Sequence, residues 1–319
     1  MAATNQDRED NMKNITCKLS LAIIVCATMC LGCNYTYTEV LPPGWRTAHA
    51  TSINDNGEVA GWGDDGTGTF KGFVYSGGNY TELLPMGWDW AEVYSINNNG
   101  DVAGSGVDGT GRQKGFVYSG GNYTELLPPG RDWAHAASIN NNGDVVGWGD
   151  DGIGRQKGFV YSGGNYTELL PPGKVDSFAY SINNNGDVAG GAFDGHGNQK
   201  GFVYSGGNYT ELLPPGWKGA SATSINDNGD VAGSGYDGAG IQKGFVYSGG
   251  NYTELLPPGW SRSISSSGLI IAAELSTPSI NNKGTVVMTR RIGILILNIY
   301  VYNIVKSFIA TPLQLASHL

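Results

Sequence analysis

Carboxylates set in Gly-rich stretches are the first residues of this 319-residue chain that could do chemistry: Asp64-Asp65-Gly66, Asp108-Gly109 and Asp150-Asp151-Gly152. Neighbouring carboxylates can divide acid and base duty in sugar-bond cleavage, and Asp65, Asp151 and Asp194 would be the residues of a hydrolase or lyase acting on polysaccharide. The competing expectation is plain turn chemistry, since Asp and Gly between extended runs are what a solvated turn needs. A second set, Asn54-Asp55-Asn56-Gly57 and Asn97-Asn98-Asn99-Gly100, offers oxygen ligands around a glycine, as a calcium loop does. Asn97 to Asn99 bring no carboxylate before Asp101, so a left-handed turn is the better expectation, and no metal or cofactor is called for. Histidine is sparse: His49 and His135 occupy equivalent places, and His196 and His318 stand elsewhere. None has a partner spacing that suggests a nucleophilic triad.

The elements that would position these residues are dictated by repetition. The run Gly-Phe-Val-Tyr-Ser-Gly-Gly-Asn-Tyr-Thr-Glu-Leu-Leu-Pro starts at Gly72, Gly115, Gly158, Gly201 and Gly244, each 43 residues from the last. Within one unit, 48–54 and 58–62 read as a hairpin, followed by a second hairpin, 71–76 and 79–84, around Gly77-Gly78. Pro85 lacks a ladder donor and suits the link to the next unit. Four strands per 43 residues predict an all-β chain, a β-propeller built from four-stranded repeats.

Ser-Ile-Asn-x-x-Gly begins at Ser52, Ser95, Ser138, Ser181 and Ser224 and returns at Ser279, which makes six blades the expected number. In that scheme Tyr37 to Leu41 is an orphan fourth strand, and 279–288 with 292–302 supply strands one to three of the blade it closes. Ser263 to Ala272 is a decayed copy of the first hairpin, so seven blades or an open β-solenoid are the alternatives. The propeller domain is placed at 34–305 and a C-terminal tail at 306–319.

Residues 1–33 read as an export signal: a basic stretch from Met12, the expected true start, to Lys18, then an apolar run from Leu19 to Leu31. Leu31-Gly32-Cys33 is similar to the end of a bacterial lipobox, with Cys33 as the lipidated residue, and a simple cleavage nearby is the alternative. All four cysteines precede residue 34, so the repeats hold no disulfide and no thiolate metal site. From residue 34 onward the chain carries 16 basic and 25 acidic residues, which argues against a nucleic-acid partner. Asn-Tyr-Thr sequons recur at Asn34, Asn79, Asn122, Asn165, Asn208 and Asn251. A membrane is expected to be met only through the signal or a lipid anchor, and the chain is expected to be monomeric.

The pattern Ala50-Thr51-Ser52-Ile53-Asn54-Asp55-Asn56-Gly57-Glu58-Val59-Ala60-Gly61, followed by Gly72-Phe73-Val74-Tyr75, resembles the HAF family of extracellular repeats. That consensus couples an Ala-x-x-Ile-Asn-x-x-Gly-x-Val-x-Gly hairpin to a His-Ala-Phe-aromatic strand; here the triplet is Lys71-Gly72-Phe73. The resemblance spans about residues 37 to 290. It implies an exported bacterial protein and no substrate.

Function is best sought where the copies differ. Residues 45–51, 88–94, 131–137, 174–180 and 217–223 vary, as do the links around 62–70, while the other turns barely change. In a propeller both variable sets emerge on one face. All eight tryptophans fall there: Trp45, Trp62, Trp88, Trp90, Trp133, Trp148, Trp217 and Trp260. They are expected to form a face that binds a polysaccharide or cell-surface protein without catalysis. Two alternatives stand beside it: wedges packed between blades, and a surface-display repeat with no specific ligand.

Overall fold

A computed structural model describes residues 38–255, the strands within 270–310, and Asn282. The signal region with Met12 and Cys33, the sequon at Asn34, Trp260 and His318 lie outside the described residues. Among the described residues no helix is long and apolar enough to cross a membrane.

Five successive antiparallel sheets follow the repeat. Blade 1 holds β1 (His49–Ile53), β2 (Val59–Asp64), β3 (Phe70–Ser76) and β4 (Asn79–Leu83); blade 2 holds β5 (Trp88–Ile96), β6 (Val102–Asp108), β7 (Gln113–Ser119) and β8 (Asn122–Leu126). Blade 3 holds β9 (Ala134–Ile139), β10 (Val145–Asp150), β11 (Gln156–Ser162) and β12 (Asn165–Leu169); blade 4 holds β13 (Asp176–Ile182), β14 (Val188–Phe193), β15 (Gln199–Ser205) and β16 (Asn208–Leu212). Blade 5 holds β17 (Trp217–Ile225), β18 (Val231–Asp237), β19 (Gln242–Ser248) and β20 (Asn251–Leu255). A sixth sheet comprises β21 (Ile270–Leu275), β22 (Ser279–Ile280), β23 (Val286–Ile296) and β24 (Ile299–Ala310). The four-strand unit, its order and its hairpins are those expected, and the architecture is an all-β propeller.

Strand content sets each packing position. The strand-three phenylalanines, Phe73 through Phe245, and the strand-four leucines, Leu83 through Leu212, are fully buried, each phenylalanine worth roughly 2–3 kcal/mol. Successive blades nest because a glycine faces the incoming strand. A Cβ on Gly72 would lie 2.5 Å from Val93 of the next blade. The Gly77-Gly78 turn requires left-handed backbone, with φ of 56° and 88°.

The motif that counted the blades also joins them. Ser52 Oγ accepts the amide of Ile96, and Ser95, Ser138, Ser181 and Ser224 repeat the bond up to Ile280. Asn54 Nδ2 donates to the carbonyl of Asn97, which donates to Asn140, then Asn183, then Asn226. On the outer side, Tyr166 and Tyr252 hydroxyls accept amides from Leu127 and Leu213 of the preceding repeat. These turns, from Asn54 to Asn282, surround one axial cavity of about 200 Å³.

The expected closing strand differs from what forms. Of the stretch ending at Leu41, residues 38–41 adopt no strand, and the sixth sheet draws its strands from the C-terminal part. β21 and β22 lie along one side of β23 and β24 along the other. The reading of 292–302 as one strand is also corrected, because β23 ends at Ile296 and β24 begins at Ile299. Lys306, taken as the start of the tail, sits within β24 opposite Arg290. The neighbour of β23 is thus supplied by the next segment of chain. A local hairpin closes a far shorter loop than pairing with residues some 250 positions upstream.

Candidate functional site

Antiparallel order puts the strand 1–2 and 3–4 turns at one end of the propeller and the variable links at the other. The variable end carries Phe70, Met86, Ile153 and Tyr236, four large exposed apolar residues, with Met86 99% exposed, while Ile53 is exposed at the other end. It also carries cavities. One, of about 370 Å³, is lined by Thr110, Arg112, Gln113, Asp132 and Trp133. Within it Arg112 donates to the carbonyls of Asp132 at 2.8 Å and Arg131 at 2.5 Å.

Tryptophan positions divide into three kinds. Trp45, Trp88 and Trp217 are buried wedges, 6–8% exposed, and are corrected from ligand contacts to structural residues. Each meets its strand-three phenylalanine edge to face, Trp88 and Phe116 at 5.8 Å between ring centres. The indole N–H of Trp45 donates to Glu82, and that of Trp88 to Glu125, each at 3.2 Å. Burial of the ring and satisfaction of its N–H by a carboxylate together explain why the residue faces inward. Trp62 and Trp148 are half-buried and pack on His49 and His135, with ring centres 4.6 Å and 4.2 Å apart. Trp148 also meets Phe178 and Tyr180 of blade 4. Variation at these places is therefore repacking between blades: Gly191 stands in blade 4 where blade 3 has Trp148, and Phe178 is paired opposite it. Trp90 and Trp133 are half-buried, and Trp133 lines the open cavity.

The blade interface also holds titratable groups. Burial lowers His135 from 6.5 to about 4, so the imidazole is neutral between Tyr94 and Trp148. Tyr94, raised by burial and by the carboxylate it bonds, donates to Glu92 at 2.5 Å.

The carboxylates of the 2–3 links do not form catalytic pairs. Asp65 accepts from Thr67 and pairs with Lys71 at 3.0 Å, and the Thr67 hydroxyl holds it well below the usual range. Asp151 accepts amides of Ile153 and Arg155. Asp194, bonded by the Asn198 side chain and by two amides, is lowered to about 2. Each is an ionised turn residue in a separate repeat, without the raised pKa a general acid needs. The asparagine clusters are turns, as expected, with Asn97 Oδ1 accepting the amides of Asn99 and Asp101. Among the described residues no group of His, Cys, Asp and Glu could hold a metal ion.

The positions that sequence reasoning missed lie between the wedges. Residues 45, 88, 131, 174 and 217 are one period apart, and the third and fourth are Arg131 and Lys174. Arg131 pairs with Glu168 at 2.6 Å and Lys174 with Glu211 at 3.1 Å, replacing the indole N–H by a cation. Where the indole is missing the structure has cavities. One of about 320 Å³ lies among Pro128, Pro129, Arg131, Asp151, Phe159, Tyr166 and Glu168. Another of about 110 Å³ lies among Pro171, Pro172, Lys174, Ala192, Phe202 and Glu211. The signal was the break in a three-tryptophan series.

No family model matches the chain, and no curated protein is similar to it in sequence. Among solved structures, a prolyl endopeptidase is similar at 12% identity with a TM-score of 0.52, over 79% of this chain and 40% of that one. TolB from Acinetobacter baumannii is similar at 14% identity and a TM-score of 0.50, over 67% of this chain and 55% of that one. A six-bladed β-propeller fungal lectin from Aleuria aurantia is similar at 11% identity and a TM-score of 0.42, over 87% of this chain and all of that one. At these identities the likeness is one of fold.

Proposed function

We propose that this protein is an exported, non-catalytic propeller that binds an extracellular polymer, a polysaccharide above all, through the end bearing its variable links. One observation carries the reading: the exposed apolar residues Met86, Ile153, Tyr236 and Phe70 and the cavity at Trp133 share that end, while the opposite end, made of near-identical Asn-Gly and Gly-Gly turns, exposes Ile53. Concave, partly apolar surface with a few polar groups is where ligands are held. The absence of a general acid among Asp65, Asp151 and Asp194 supports binding without turnover. Export and anchoring through Cys33 belong to the same reading, as does a monomeric state.

Retention of the full chain on immobilised polysaccharides tests it. Wild type should be retained on at least one, and a variant carrying Met86→Lys, Ile153→Lys and Tyr236→Lys should elute early. Equal retention of that variant would sink the loop-face reading.

A further inference from the structure

The cavity over Phe159 in blade 3 has the outline of a missing side chain. In blades 1, 2 and 5 the same place is filled by Trp45, Trp88 and Trp217, each edge-on to its phenylalanine. Trp45 and Trp88 each give one N–H to the strand-four glutamate. In blade 2 a Cβ on Gly106 would fall 2.8 Å from Trp88 Cε3 and 2.1 Å from the backbone oxygen of Trp90. Blade 4, which lacks the indole, carries Ala192 at the equivalent place, and its cavity is the smaller, at about 110 Å³ against about 320 Å³. Blade 3 keeps Gly149 there and lacks the indole as well. There the buried Arg131 side chain takes the indole's place, and a cavity of about 320 Å³ opens beside it.

We propose that this slot binds one neutral pyranose ring of the polymer taken by the loop face, an assignment that rests on the reading above. The vacated volume suits a flat ring with an apolar edge against Phe159 and Tyr166 and with the Pro128-Pro129 wall beside it. Hydroxyls of the ring donate to the Glu168 carboxylate beside the bond from Arg131, since that side chain is 52% exposed and so open to solvent. Arg131, 7% exposed, is fixed by Gly149 O at 3.1 Å and by Glu168, and it holds that carboxylate in place. One cation, Arg131, and two carboxylates, Glu168 and Asp151, line the slot, so an anionic sugar is repelled and a neutral ring is accepted.

The test uses the chain's own plug. Arg131→Trp places in blade 3 the residue that three sister blades accommodate, and Glu168→Gln weakens the acceptor without filling the slot. Titration calorimetry of the full chain with dextran, xylan and galactomannan, competed by N-acetyltryptophanamide, reads the outcome. A polysaccharide bound by wild type should bind at least tenfold more weakly to both variants, while Trp88→Arg, which opens the same slot in blade 2, raises the stoichiometry. Undiminished binding by both variants overturns the slot and leaves the loop-face reading standing. Binding of none of the polysaccharides by wild type overturns both. Direct binding of the indole probe, weakened by Arg131→Trp, with no polysaccharide bound assigns the slot to a partner's tryptophan and overturns the sugar.

Discussion

Asn97 gives its side-chain amide to the main-chain carbonyl of Asn140, the same residue of the next blade, at 2.9 Å. The same side chain uses Oδ1 to hold its own turn through the amides of Asn99 and Asp101. One buried asparagine thus fixes a turn and couples two sheets, and Asn140 repeats the arrangement toward Asn183.

Asn140→Ala should therefore cost more than loss of an exposed turn residue, roughly 2–4 kcal/mol, because it leaves two part-buried amides of the turn and the buried carbonyl of Asn183 without this partner. Urea unfolding of the full chain measures this. A cost below about 0.5 kcal/mol would mean that the coupling is absent in solution.

Removing a wedge should act on stability. Trp88→Ala deletes a buried indole against Phe116 and is expected to cost roughly 3–5 kcal/mol. Trp88→Phe keeps most of the packing and loses the bond to Glu125, so about 1 kcal/mol is expected beyond the volume change. Thermal unfolding of the two variants should rank them in that order, and equal midpoints would argue that the ring is not buried.

Acid should loosen the blade 3 interface. His135 is held neutral by burial, with its value lowered from 6.5 to about 4, so the unfolded chain binds its proton first. The stabilising contribution is present above pH 6.5 and is lost as pH falls toward 4, by roughly 3 kcal/mol at most. His135→Phe keeps an aromatic ring against Trp148, as Phe178 does at the equivalent place in blade 4, and cannot titrate. Its stability should fall less than wild type between pH 6.5 and 4, with carboxylates common to both proteins cancelling. Parallel curves would remove His135 as the cause.

Strand two carries a test of the wedge geometry. Gly106→Ala should be strongly destabilising, since the new Cβ would meet Trp90 O at 2.1 Å as well as the Trp88 ring. Ala192→Gly in blade 4 should change stability by under about 1 kcal/mol, reflecting backbone entropy. Equal effects at both places would contradict the crowding of Gly106 by strand one and the Trp88 ring.

Repetition at 43 residues, the alternation within each run and the Gly-Gly turns determined the strands and the propeller, because local backbone preference and apolar patterning are both written in each copy. The identity of the turn asparagines was readable for the same reason. What their second hydrogen bond does was not, since Asn97 and Asn140 meet only once neighbouring sheets are packed. Tryptophan type alone did not separate a wedge such as Trp88 from a cavity residue such as Trp133, because each indole has the same chemistry and differs only in what stands beside it. The source of the strand beside β23 also lay beyond the repeat pattern: a local partner, β24, took the place the pattern reserved for residue 37 onward. The slot over Phe159 is a tertiary decision of the same kind, made by Arg131 standing where the sequence elsewhere writes tryptophan, against a glutamate 37 residues away in the chain and 2.6 Å away in space.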